Sequence, residues 1–166
     1  MRREDLLHPR LGGNKFYKLA GHLEAFRSSG ARRLLSFGGA FSNHLYALAA
    51  AGHDLGIPTV GVVRGEAPET LSPTLQDAVT AGMELIFVSR ADFKRKTDPL
   101  WLAELHRRFG DVYCIPEGGG DLLGSRGCMT WAAAAVAASP WRPDVVCLAA
   151  GTGGTAAGVL AAGVCQ

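Results

Sequence analysis

Apolar positions along this chain fall into two patterns: stripes at helical spacing, and short unbroken runs bounded by glycine, proline or charge. Phe16, Leu19, Ala20 and Leu23 recur at helical spacing and predict a helix from about Asn14 to Ser29, stopped by Gly30. Arg33-Leu34-Leu35-Ser36-Phe37 has the pattern of a short buried strand. A helix follows from Asn43 to about Leu55, with an alanine-rich face suited to packing on a sheet. Ile57 to Val63 is the next strand, with Pro58 at its start, where a missing N–H is tolerated. Leu71-Ser72-Pro73-Thr74 has the form of a capped helix start and predicts a helix to about Ala81, and Met83 to Val88 then forms a strand. Asp98-Pro99 opens a helix to about Phe109, and Val112 to Ile115 is a strand ended by Pro116. Ser125 or Arg126 begins a helix through Ala138, Asp144 to Ala149 is the last strand, and Thr155 to Ala162 is the last helix.

Strands separated by helix-length segments imply an α/β fold: an open, mostly parallel sheet with right-handed crossovers and helices on both faces. The pattern divides the chain into a smaller lobe, 33–110, and part of a larger one, 1–32 and 111–166.

Composition narrows the function. The chain has 166 residues, 48% of them hydrophobic, and a net charge of +2, which allows a respectable core and argues against a dedicated nucleic-acid surface. Arg32-Arg33 and Lys94-Arg95-Lys96 are short basic clusters that read as solvated edges of elements. Cys114, Cys128, Cys147 and Cys165 show no CxxC pairing, and Cys114 and Cys147 fall in apolar runs, so a reducing compartment is expected. Met1-Arg2-Arg3-Glu4-Asp5 leads into no long apolar segment, so no secretory signal is read there and the cytoplasm is the expected location. Val145 to Cys165 carries no charge, but Gly151-Thr152-Gly153-Gly154-Thr155 interrupts it, which favours a strand, a glycine loop and an apolar helix over a membrane span.

Candidate chemistry lies in loops. Gly12-Gly13-Asn14-Lys15 delivers a lysine to the first turn of a helix, where the positive helix end and partial burial lower its pKa toward the free amine that forms a Schiff base. The same residues also fit a plain turn, with Asn14 as the cap and with Lys15 and Lys18 solvated. Three glycine-containing loops, Gly38 to Asn43, Gly118 to Gly124 and Gly151 to Thr155, each follow a strand and precede a helix. In an open parallel sheet, that places them on one ligand-binding edge. Gly151 to Thr155 suits an anion cup of backbone amides and threonine hydroxyls; it lacks the P-loop lysine and fails the dinucleotide fingerprint, and a tight turn is the simpler alternative. Ser42-Asn43-His44 offers a hydroxyl, an amide and an imidazole at a helix start, where Ser or Asn also serves as a cap. His44 has no acidic companion in sequence, and His8, His22, His53 and His106 lack metal-ligand spacing and read as scattered surface or helix positions.

Taken in order, Arg3-Glu4-Asp5-Leu6, Gly12-Gly13-Asn14-Lys15 with Lys18-Leu19, Gly38-Gly39 with Ser42-Asn43-His44, Pro116-Glu117-Gly118-Gly119, and Gly151 to Thr155 resemble the 1-aminocyclopropane-1-carboxylate deaminase and D-cysteine desulfhydrase family. These are pyridoxal-phosphate enzymes of the tryptophan synthase β-like fold, also called fold type II. The resemblance implies that Lys15 is the Schiff-base lysine, that Asn43 bonds the phenolic oxygen of pyridoxal 5'-phosphate, and that Gly151, Thr152, Gly153, Gly154 and Thr155 hold its phosphate. Ser42 would face a small amino-acid substrate, holding its carboxylate or assisting proton transfer. The implied reaction releases ammonia and a 2-oxo acid, with hydrogen sulfide as well in the desulfhydrase branch, which His44 resembles more than the deaminase branch. Phe16-Tyr17 departs from the family, which has Arg between the two lysines. Family members are also longer, so the resemblance implies an incomplete fold, and a homo-oligomer if complete. Two other readings stand beside it: a truncated, non-catalytic remnant that binds at most the cofactor or a partner chain, and a nucleotide-binding Rossmann protein.

Overall fold

The computed structural model describes residues 3–164. Met1, Arg2, Cys165 and Gln166 therefore lie outside the described residues. The chain runs α1 (Asn14–Ser29), β1 (Arg33–Gly38), α2 (Asn43–Leu55), β2 (Thr59–Arg64), α3 (Pro73–Thr80), β3 (Met83–Val88), α4 (Arg90–Phe93), α5 (Pro99–Phe109), β4 (Val112–Ile115), α6 (Leu122–Ala137) and α7 (Gly154–Ala161). Short 3-10 turns at Glu4–Leu6 and Glu117–Gly119 precede α1 and α6. Most helices begin on the side chain that the sequence offers: Ser42, Ser72, Ser89, Asp98 and Asp121 each accept a backbone N–H of the following turn.

The four strands form one sheet, ordered β3-β2-β1-β4, and every pairing is parallel. Leu34 lies opposite Thr59 and Tyr113, and the two-residue period then sends neighbours to opposite faces. Leu34, Val63, Met83 and Ile115 pack against Leu19 and Phe26 of α1, Leu45 and Leu48 of α2, and Leu75 and Ala78 of α3. Leu35, Phe37, Val60, Val62 and Ile86 pack on the other face against Phe93, Trp101, Leu105 and Phe109. Both faces are buried, which is why the strands are nearly continuous apolar runs.

The helices α6 and α7 lie beyond this sheet, against α1, and approach by glycine. A methyl on Gly127 would sit 2.0 Å from the Tyr17 carbonyl oxygen of α1, and one on Gly158 would sit 2.5 Å from the Ser125 carbonyl oxygen. At Gly127 the contact is backbone on backbone, and at Gly158 the Cys128 Cβ, at 2.6 Å from such a methyl, adds to the backbone contact.

Three expectations need correction. The helix expected from Ser125 begins at Leu122, because Asp121 accepts the Gly124 N–H and sets the start a turn earlier. The strand expected at Asp144 to Ala149 is irregular: no described strand runs beside it, and Val145, Val146 and Leu148 are exposed, as is Cys147. The short helix α4 was not expected. Among the described residues, no helix is long and apolar enough to cross a membrane.

Candidate active site

The first turn of α1 is built by a glycine. Gly13, with φ 64° and ψ −156°, precedes the helix without a side-chain cap, a conformation that a Cβ disfavours. Asn14 is therefore not the cap. It is the first helical residue, and its Nδ2 donates to Thr155 Oγ1 at 2.8 Å, tying α1 to the start of α7. Lys15 follows, half-buried, with a pKa lowered first by burial and then by the nearby charge of Lys18, against a smaller opposing effect of Cys128.

Lys18 lies one turn further on and is not a solvated lysine. It is 1% exposed, and its Nζ donates to the Gly118 carbonyl at 3.2 Å. Burial lowers its pKa as well, with Cys128 and Asp121 pulling the other way. Tyr17, where the resembling family has Arg between its lysines, stacks on Trp131 at 5.1 Å, and its hydroxyl donates to Glu4 Oε2. The other oxygen of Glu4 accepts Trp131 Nε1–H at 3.0 Å, and the Glu4 carbonyl accepts the Gly13 N–H at 3.0 Å, so the chain before α1 clasps its N-terminus onto α6.

Opposite Lys15 runs the loop Gly151 to Thr155. Gly153 takes φ 80°, and α7 starts at Gly154. A methyl on Gly154 would lie 3.0 Å from Lys18 Nζ, so the amine is seated against the helix start. Lys15 and Lys18 border, with Gly151, Thr152, Gly153 and Thr155, a pocket of about 40 Å³. It opens beside a cleft of about 700 Å³ whose lining includes Lys15, Ser42, Asn43, His44, Gly118 and Trp131. The three glycine loops do share one cleft.

Ser42 Oγ caps α2 by accepting Leu45 N–H at 3.2 Å, which leaves its own proton free to donate, and Asn43 is exposed at the helix start. His44 points the other way in chemistry. It is 3% exposed, and its Nε2 lies 2.9 Å from Ser36 Oγ. Ser36 Oγ donates its single proton to the Ile115 carbonyl at 2.8 Å, so the hydrogen-bond network assigns the imidazole proton to Nε2. Nδ1 is then a bare acceptor, buried and without a partner. Burial, with Lys15, His22 and Lys18 nearby, holds the His44 pKa down to about 3, so the ring is neutral at ordinary pH.

His22, expected as a scattered surface or helix position, is fully buried on α1. Its Nε2 lies 3.1 Å from Asp121 Oδ1, and its Nδ1 lies 3.4 Å from the Tyr113 hydroxyl. Lys96 is likewise more than a solvated edge, since its Nζ pairs with Glu117 of the cleft wall at 3.4 Å. Sequence could not show these roles because each partner comes from a distant segment.

The donor set fits pyridoxal phosphate. An amine with lowered pKa, a loop rich in backbone amides at the N-terminal end of an eight-residue helix, and a second amine packed against that end face one another across the cleft. Gly154 supports the fit, because a side chain there would occupy the space between loop and amine.

Comparison with known proteins agrees. The profile of the family described as "Pyridoxal-phosphate dependent enzyme" matches residues 1–162. A Pyrococcus horikoshii protein provisionally named 1-aminocyclopropane-1-carboxylate deaminase is 30% identical over 160 residues, covering 96% of this chain and 49% of the relative. A Thermotoga maritima protein with the same provisional name is 30% identical over 171 residues, covering 99% of this chain and 53% of the relative. The crystal structure of a 1-aminocyclopropane-1-carboxylate deaminase homologue superposes with a TM-score of 0.83 at 31% identity, over 98% of this chain and 50% of that one. A hydrogen sulfide-producing enzyme from Fusobacterium nucleatum shares the fold at 16% identity, with a TM-score of 0.70 over 95% of this chain and 50% of that one. The chain spans about half the length of the curated relatives it matches. It belongs to the pyridoxal-phosphate-dependent enzyme family and has the fold-type-II architecture.

Proposed function

We propose that this member of the pyridoxal-phosphate-dependent enzymes carries the cofactor-anchoring half of a site that removes ammonia from a small amino acid, of the D-cysteine or 1-aminocyclopropane-1-carboxylate type, to give a 2-oxo acid. The observation that carries the reading is Lys15, its pKa lowered by burial and by Lys18, facing the Gly151 to Thr155 loop in one pocket. Lys15 Nζ is the covalent anchor, the backbone amides and threonine hydroxyls of Gly151, Thr152, Gly153, Gly154 and Thr155 hold the phosphate, and Asn43 bonds the phenolic oxygen. When bound, the cofactor supplies an electron sink for the substrate carbon that loses a proton. Lys15 Nζ, as a free amine, would be the base that moves that proton. Ser42 donates its hydroxyl proton to the substrate carboxylate, and its capping bond to Leu45 holds Oγ in position. Lys18 keeps the pocket cationic where the phosphate sits. Free thiols at Cys114, Cys128 and Cys147 fit a reducing cytoplasm.

The test is spectral first. Pyridoxal phosphate added to the protein is expected to give a visible absorption band that Lys15→Ala abolishes; a band unchanged in that variant refutes the anchor. Ammonia and sulfide release from D-cysteine, and ammonia release from the cyclopropane amino acid, then identify the substrate. The exposed apolar run at Val145, Val146 and Leu148 beside the loop favours a second reading, binding without turnover, which predicts the band but no ammonia.

A further inference from the structure

The cleft has two places for an anion, and the cofactor brings one phosphate. The first is the Gly151 to Thr155 loop with Lys15 and Lys18. The second lies by the Gly39 to Asn43 turn, where Arg64 ends β2 at the carboxyl edge of the sheet and lines the cleft. Its guanidinium lies near that turn: a methyl on Gly39 would rest 3.8 Å from Nη2. The group is steered by stacking, with Cζ 5.7 Å from the Phe93 ring centre. Phe93 is itself buried, and Lys96 Nζ lies 5.0 Å from the same ring centre.

No carboxylate among the described residues neutralises Arg64. Glu117, the acidic residue lining the cleft, is paired with Lys96 at 3.4 Å. The thirteen-residue helix α2 starts beside this place, at Asn43, and adds the partial positive charge of its N-terminus. Arg64 is exposed to solvent at the cleft, and its forked, always-charged guanidinium suits the planar, two-oxygen geometry of a carboxylate.

We propose that Arg64 receives a carboxylate of the amino-acid substrate at the cleft that it lines with Ser42 and Asn43. The proposal rests on the amino-acid reading of the cleft given above. Arg64 is a specificity-determining residue in this assignment, and its ligand class is a carboxylate, either the α-carboxylate or a second one on the substrate side chain.

The experiment titrates the full chain, loaded with pyridoxal phosphate, with D-alanine, D-aspartate and methylamine. Tryptophan fluorescence reports binding, since Trp131 lines the cleft. Arg64→Gln is expected to weaken a carboxylate ligand on the order of tenfold to a hundredfold, with Arg64→Lys intermediate and methylamine unaffected. Loss for both amino acids assigns the α-carboxylate, and loss for aspartate alone assigns a side-chain carboxylate; either supports the proposal. Affinities in Arg64→Gln equal to the parent overturn it. So does failure of the parent to bind either amino acid while its Lys15-dependent absorption band is intact, an outcome that leaves the cofactor reading standing. If the band itself is absent, the cofactor reading fails. The same titration on cofactor-free protein then decides Arg64: carboxylate binding that Arg64→Gln weakens supports it, and none overturns it.

Discussion

Gly127→Ala sets two effects against each other with opposite signs. In the middle of α6, alanine in place of glycine favours the helix by about 1 kcal/mol. The added methyl, however, meets the Tyr17 carbonyl oxygen of α1 at 2.0 Å, with the Tyr17 carbonyl carbon at 2.9 Å and the Lys18 nitrogen at 3.6 Å. These are backbone atoms and cannot swing aside. The contact has to open from 2.0 Å to the 3.4 Å at which ordinary contact begins, so the helices must part. A gap of about 1 Å forfeits a quarter to a half of the dispersion energy of each atom pair it separates, and forced overpacking of this kind costs roughly 3 kcal/mol at the upper end of its usual range. The net expectation is a loss of about 2 kcal/mol. With a urea dependence of about 1–3 kcal/mol per molar, the unfolding midpoint falls by roughly 1 M. Urea unfolding followed by circular dichroism measures it. A midpoint that rises, or that stays within about 0.2 M of the parent, refutes the claim that backbone contact sets the α1–α6 spacing.

Further outcomes are expected elsewhere. Ser36→Ala removes both the donor to the Ile115 carbonyl and the acceptor of His44 Nε2–H, and should cost roughly 2 kcal/mol in the same unfolding assay; an unchanged midpoint contradicts the network. His44 stays neutral down to about 3, while a histidine in the unfolded chain protonates near 6.5. Between those values the unfolded state binds the extra proton, so this group leaves stability untouched above pH 6.5 and lowers it as pH falls toward 3. His44→Gln should flatten that slope in part, since His22 is shifted in the same direction, and an unaltered pH profile would count against it. Lys18→Met removes the like charge that helps to lower the Lys15 pKa, so acylation of Lys15 by acetic anhydride, read by peptide mass mapping, should shift to higher pH. Gly151→Ala meets nothing within 4 Å in the protein and should leave the unfolding midpoint unchanged while weakening pyridoxal phosphate binding measured by absorbance; a fall in stability instead would show that the loop is packed.

The sheet was legible because its strands are buried on both faces and are punctuated by caps and glycines. Leu34 and Leu35 differ only in which face they serve, yet both demand burial, so the run reads as a strand from sequence alone. Helix α1 was legible at both ends for a similar local reason, with glycine turns at Gly13 and Gly30. The misses share another cause. Asp144 to Ala149 has the composition of a buried strand, but a strand exists only beside a partner, and composition says nothing of the partner. Lys18 stayed open between a solvated and a site lysine, and His22 was read as a scattered surface or helix position, because sequence shows the helix they stand on, not the Gly118 carbonyl or Asp121 that meets them after a hundred residues. The convergence of Lys15 with the Gly151 loop was legible through the family resemblance and not through topology, since neither segment follows a described strand. The bare Nδ1 of His44 was not legible, because it depends on where one hydroxyl proton goes.

The bond from Asn14 to Thr155 joins residues 141 positions apart. During synthesis at about 5–20 residues per second, Lys15 therefore leaves the ribosome on the order of ten seconds before the loop that will face it has been made. Through that interval its amine has neither the burial nor the completed pocket that depresses its pKa, and it is an ordinary ammonium. Lys15 thus acquires the lowered pKa on which its proposed role as cofactor anchor rests only after the later segments have closed around it.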